Sequence, residues 1–206
     1  MPNDSDKITL VDAMQRAVDI VNTSAHPTNK VAAALVGHDR AGTPFCTSRT
    51  NYWPPAIEQH FGRETKIGDA SGTVHAETAC ILQSPYTYGA HLYITDPFCP
   101  NCAKNMAEAG ITAIYIDHKG FDKDFSRRRG HHFAAMSMEI CAKAGIAIYK
   151  INRKQETLTP ILEINPAYMP PQDNPPTLEP ADRQSFKTFI ANQHTGYDSA
   201  KFACAR

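Results

Sequence analysis

Thr73-Val74-His75-Ala76-Glu77 and Cys99-Pro100-Asn101-Cys102 are the two stretches from which the rest of the chain is read. The first is a His-x-Glu motif and the second a Cys-x-x-Cys pair preceded by Pro97-Phe98. The 21 residues between Glu77 and Cys99 (78 to 98) leave room for one helix and one strand. One imidazole and two thiolates form a donor set suited to zinc. Three protein ligands, His75, Cys99 and Cys102, leave the fourth tetrahedral position open, which is the catalytic arrangement. Glu77 lies two residues past His75, so it can stand beside the metal without ligating it and act as the general acid/base. A thioredoxin-like redox couple is the competing reading of Cys-x-x-Cys, and the nearby His-x-Glu decides against it.

Helices and strands alternate on either side of these motifs. Val11, Met14, Val18 and Val21 recur at helical spacing over 11–23. Residues 31–36 are apolar and end at Gly37, which suits a buried strand, and 43–50 reads as its hairpin partner. Residues 51–72 form a long irregular stretch with Pro54-Pro55, Gly62, Gly68 and Gly72, of the kind that folds over a site. The spacing then predicts a helix over 73–83, a strand over 91–95, a helix over 100–108 and a strand over 111–117. A helix over 132–144 carries Phe133, Met136, Ile140 and Ala144 on one face, and a strand follows over 146–151. The unit 111–151 is strand, helix, strand, with a crossover long enough for parallel pairing. The expected architecture is therefore an α/β domain over residues 1–155, followed by an arm over 156–206. The arm holds seven prolines between Pro160 and Pro180, and a short helix is expected over 182–193.

Composition narrows the function. Hydrophobic residues make up 42% and charged residues 20%, a globular balance. Lys+Arg and Asp+Glu number 21 each, so no overall positive field is available to grip long nucleic acid. The longest strongly apolar run, 31–36, is far short of the ~20 residues that span a bilayer. With no basic and apolar leader at the start, the expected location is cytoplasmic. The other cysteines, Cys46, Cys80, Cys141 and Cys204, are isolated and read as ordinary thiols.

The paired motif at this spacing resembles the cytidine and deoxycytidylate deaminase superfamily, nearest its deoxycytidylate deaminase-like branch, over roughly residues 8 to 151. That resemblance implies a three-layer α/β/α fold with a five-stranded mixed sheet whose last strand is parallel. It implies a zinc-dependent hydrolytic deaminase of a small nucleobase compound, a cytosine nucleotide or nucleoside first. The alternatives are an editing deaminase acting on tRNA or single-stranded nucleic acid, and a guanine- or pterin-type base deaminase. A zinc-stabilised binding module is a third class, and Glu77 speaks against it. The family commonly forms homo-oligomers. Asn51 resembles the family asparagine that holds the sugar or a base edge. Ala76, Trp53, Pro97, Phe98 and Arg63 complete the expected substrate contacts.

The sequence also departs from the family pattern. Phe98 stands where proline usually precedes the first motif cysteine. Deoxycytidylate-type enzymes usually carry an Arg just before the Thr of the first motif and an Asn two residues after the Glu. Here Ser71-Gly72 and Ala79 occupy those places, so a phosphate would have to be met by Arg63, Lys66 or the run Arg127-Arg128-Arg129. His131-His132 reads as a surface pair.

Overall fold

The computed structural model describes residues 9–68, 70–122 and 131–163, with side chains for all of these except 131–134. Helix α1 (Leu10–Ile20) begins with a reciprocal cap. The Thr9 hydroxyl accepts from the Asp12 amide at 3.1 Å while the Asp12 carboxylate accepts from Thr9. Strands β1 (Ala32–His38) and β2 (Pro44–Thr50) follow as an antiparallel hairpin. Then come α2 (Pro55–Phe61), the short pair β3 (Lys66–Ile67) and β4 (Ala70–Ser71), and α3 (Ala76–Gln83). The second half runs β5 (His91–Ile94), α4 (Pro100–Glu108), β6 (Ala113–Asp117), α5 (His118–Asp122), α6 (His131–Lys143), β7 (Ala147–Asn152) and β8 (Thr157–Leu162).

Six of these strands form one sheet in the order β2-β1-β5-β6-β7-β8. β5, β6 and β7 are mutually parallel, and the flanking pairs are antiparallel. The sequence expectation of five strands ending on a parallel one is corrected here: β7 is parallel, as expected, but β8 adds a sixth, antiparallel strand. It lies beyond Gln155, in the stretch read from sequence as the beginning of the arm. Pro160 misled that reading, because a proline has no amide hydrogen to donate to a ladder and so argues against a central strand. The structure resolves the conflict by placing Pro160 in the edge strand, where the register also slips between Ile148 and Tyr149. The remainder of the arm, the helix expected over 182–193 and the run Arg127-Arg128-Arg129 lie outside the described residues.

Alternation along β1 divides the core into two. Ala32 and Ala34 pack with Ala13, Met14 and Ala17 of α1 on one face. Ala33 and Leu35 pack on the other with Ala76 and Cys80 of α3, Cys102 and Met106 of α4 and Cys141 of α6. On the α1 face, Tyr93, Tyr115 and Tyr149 sit in register on three adjacent strands, with ring centroids 4.6 and 5.3 Å apart. α6 keeps part of its expected face, with Ile140 and Ala144 packed against the core, but Ser137 and Cys141 are buried and Met136 is 48% exposed. Among the described residues no helix is long and apolar enough to cross a membrane.

The loop that leaves β5 toward the cysteines is wedged against α5. A Cβ built on Gly120 would fall 1.7 Å from the Thr95 carbonyl oxygen and 2.9 Å from the Asp96 Cα. No side chain fits there without moving the backbone that leads to Pro97 and Cys99. Gly120→Ala should therefore cost about 1–3 kcal/mol. Thermal denaturation should show a lower Tm, and elemental analysis weaker zinc retention. An unchanged Tm would mean that the loop accommodates the methyl group freely.

Candidate metal centre and catalytic site

α3 and α4 start side by side on one face of the sheet, and their first residues carry the chemistry. His75 is the residue immediately before α3, with extended backbone angles (φ −70°, ψ 152°). Cys99 holds the same position before α4, with Pro100 as the first helical residue. The Cys99 Sγ accepts from the Cys102 amide at 3.4 Å, so a thiolate there also serves as the helix cap. The His75 Nδ1 lies 3.5 Å from Cys99 Sγ and 3.3 Å from Cys102 Sγ.

These three donors, all within 4.8 Å of one another, form the one His/Cys/Asp/Glu cluster among the described residues that could hold a metal. Ligands about 2.0–2.3 Å from a tetrahedral zinc stand roughly 3.6 Å apart, close to the distances found. The electrostatics agree. Cys99 is drawn down to about 4, chiefly because the Cys102 thiol donates to its thiolate. Cys102 is pushed up, by that same shared proton and by burial. A cation between the sulfurs would favour the thiolate form of both, and the donor set fits zinc. Behind the sulfurs, Thr78 Oγ1 lies 3.7 Å from Cys102 Sγ and accepts from Asn105 Nδ2 at 3.1 Å. Ser137 on α6 donates to the Phe98 carbonyl at 3.1 Å and holds the loop from the other side.

Glu77, in the first turn of α3, is 2% exposed. Its Oε2 has no hydrogen-bond partner. Burial raises the carboxyl above its ordinary range, while His75 pulls it the other way. A buried, unpartnered carboxylate oxygen beside a metal donor set is costly to maintain and useful only if something in the site binds it.

His75, Glu77, Pro97 and Cys99 line a cavity of about 500 Å³, together with Asn51, Lys66, Ser71 and Thr73. Asn51 is tied into the wall: its Oδ1 accepts from Ser24 Oγ at 2.7 Å and Val31 N at 3.1 Å, and its Nδ2 donates to Asn29 O at 2.9 Å. One Nδ2 hydrogen remains for a substrate. A backbone bridge between Tyr52 and Val74 sets Asn51 next to His75.

The other expected contacts are placed differently. Ala76 and Phe98 are buried in the core, and Trp53 stands behind His26 with its indole N–H donating to the Glu64 carbonyl at 2.7 Å. Arg63 is not part of the cavity wall, and its guanidinium pairs with Glu58 at 2.6 Å. Lys66 is the cation that lines the cavity. The Arg expected before Thr73 has no room: a Cβ on Gly72 would meet the Glu64 carbonyl oxygen at 2.0 Å. Sequence reasoning missed His26, which lines the cavity. Its only signal was a turn beside Pro27.

The chain is similar to several known proteins. Residues 8–118 match the family described as the cytidine and deoxycytidylate deaminase zinc-binding region. A deaminase encoded in the luxG 3′ region of Aliivibrio fischeri is 24% identical over 135 residues, covering 65% of this chain and 87% of that protein. The dCMP deaminase of cyanophage S-TIM5, solved with dCMP and dUMP, is 20% identical with a TM-score of 0.47, covering 67% of this chain and 93% of that one. A structure from a study of tRNA:A34 deaminases is 22% identical with a TM-score of 0.30, covering 51% and 70%.

Elemental analysis of purified protein should find about one zinc per chain. Cys99→Ala should lose most of it, and Glu77→Gln should keep it. Zinc retained at the wild-type level by Cys99→Ala would remove the ligand assignment.

Proposed function

The chain belongs to the cytidine and deoxycytidylate deaminase zinc-binding family, and from that premise we propose that it hydrolyses the exocyclic amine of a cytosine nucleotide or nucleoside, releasing ammonia. The observation that carries this reading is the buried Glu77, whose Oε2 has no hydrogen-bond partner, beside a His/Cys/Cys donor set in one cavity. A cavity of about 500 Å³ is in the size range of small-molecule sites, which favours a single nucleotide or nucleoside over a strand.

Bound zinc supplies an acidified water as the nucleophile at neutral pH. The chain's own work is done by Glu77. Its carboxylate takes a proton from the attacking water and delivers it to the ring nitrogen; it then takes the second proton, from the hydroxyl now on the ring carbon, and gives it to the amine as the C–N bond breaks and the C=O forms. The burial that raises its affinity for a proton suits a group that must hold one between transfers. The site's hydrogen-bonded supports, Thr78 with Asn105 and Ser137 on the Phe98 carbonyl, keep the sulfurs and the loop in place during the exchange. Lys66, with Ser71 opposite it in the β3–β4 register, supplies a positive charge and a hydroxyl for an anionic group at the cavity wall.

Ammonia release should be measured on cytosine, cytidine, deoxycytidine and their monophosphates, with guanine, adenine and pterin compounds beside them. Glu77→Ala should lower kcat by at least ~100-fold. Lys66→Ala should raise KM more for a monophosphate than for its nucleoside, whereas Arg63→Ala should leave both near wild type. Equal effects of Lys66→Ala on nucleotide and nucleoside would remove the phosphate role. Activity on single-stranded nucleic acid alone would overturn the small-molecule reading.

A further inference from the structure

His26 is a histidine whose tautomer the backbone decides. Its Nδ1 accepts from the Asn29 amide at 2.9 Å and from the Thr28 amide at 3.3 Å. Two N–H donors on Nδ1 exclude a proton there, so the neutral ring carries its hydrogen on Nε2. The ring is 7% exposed and stacks on Trp53, with centroids 5.6 Å apart and planes 12° from parallel. Trp53 is in turn held by its bond to the Glu64 carbonyl. His26 is therefore fixed on both its edge and its face, yet it lines the cavity that holds His75 and Glu77. No described residue accepts a hydrogen bond from its Nε2.

We propose that His26 is a specificity-determining residue, a neutral, pre-oriented donor whose Nε2–H meets an acceptor oxygen of the substrate, on the base or on the sugar. This rests on the deaminase reading for its consequence, but its geometry does not. Three features separate this ring from a histidine that merely packs. The Nδ1 edge is saturated by protein, no described residue takes a hydrogen from Nε2, and the ring plane is locked by an aromatic that makes no other polar bond than the one anchoring it. Burial depresses its tendency to protonate, and a proton on Nδ1 would oppose both backbone donors. The group therefore selects acceptors and does not attract anions as a cation would. Its natural ligand atom is a carbonyl or hydroxyl oxygen, while Lys66 is left to meet a phosphate.

Two substitutions divide the roles. An asparagine carboxamide oxygen can replace Nδ1 at the turn but does not reach the Nε2 position, whereas a glutamine amide nitrogen does reach it. His26→Asn should keep the wild-type Tm and zinc content while kcat/KM falls on the order of tenfold, mostly through KM. His26→Gln should recover part of that loss. A loss seen on cytosine as well as its nucleoside assigns the acceptor to the base; a loss confined to nucleoside and nucleotide assigns it to the sugar. Nitrogen-15 NMR of the full-length protein should show His26 as the Nε2–H tautomer at neutral pH. An Nδ1–H tautomer, or His26→Asn with unchanged kcat/KM on every active substrate, would overturn the proposal. Wild-type protein inactive on the whole panel would overturn the deaminase reading instead. Calorimetric binding of deoxyuridine and its monophosphate to wild type and His26→Asn would then decide the donor role: weaker binding by the variant supports it, and equal or absent binding by both proteins refutes it.

Discussion

Two helix N-termini meeting on one face of a sheet are the constraint from which the site follows. Each helix start leaves backbone N–H groups without partners, and each favours negative charge. α3 and α4 both place their decisive residue, His75 and Cys99, in the extended position just before the first turn. From there a side chain turns across the helix end and toward its neighbour. The sheet makes the meeting possible because β1 and β5 are hydrogen-bonded neighbours, with α3 packed over the one and α4 following the other. Once the two helix starts lie side by side, three donors converge within 4.8 Å, and a cation there would relieve the competition of the sulfurs for one proton.

The same packing puts Glu77 where water cannot reach it freely. A carboxyl in the first turn of a surface helix would be solvated and ordinary. Here α3 is buried between β1 and α4, and the carboxyl is carried inward with Ala76, Ala79 and Cys80. The fold thus tolerates an unsatisfied oxygen at its centre, and the well-packed apolar surroundings offset that cost. Gly120 against the Thr95 carbonyl and Ser137 on the Phe98 carbonyl serve the same end, fixing a loop that has no regular structure of its own.

The metal set and Glu77 were legible in the sequence because they are local: two short motifs whose spacing states their chemistry. The long periodic elements were legible for the same reason. Features decided by contacts between distant residues were not. Pro54-Pro55 read as part of a long irregular stretch, yet Pro55 is a favoured first residue of a helix and begins α2. β3 and β4, two residues each, are too short to leave a periodic signal. Arg63 looked like a substrate cation because nothing in the sequence shows that Glu58 takes it. Gly72 looked like a missing arginine, and only the approach of the Glu64 carbonyl explains it.

The outer strands of the sheet have a consequence for how copies of this molecule behave in a crowded solution. With formal net charge +0, the chain has little electrostatic repulsion to hold copies apart. Colloidal stability must then come from shape and backbone chemistry. β2 opens on Pro44, and β8 carries Pro160 beside an irregular register. Among the described residues these are the outer strands of the sheet, and neither proline has an amide hydrogen to offer a further strand. Without that cover, the parallel core strand β7, with Ile148 and Ile151 fully inside, would be the exposed template. The proline that obscured β8 in the sequence is thus also a safeguard against runaway strand addition.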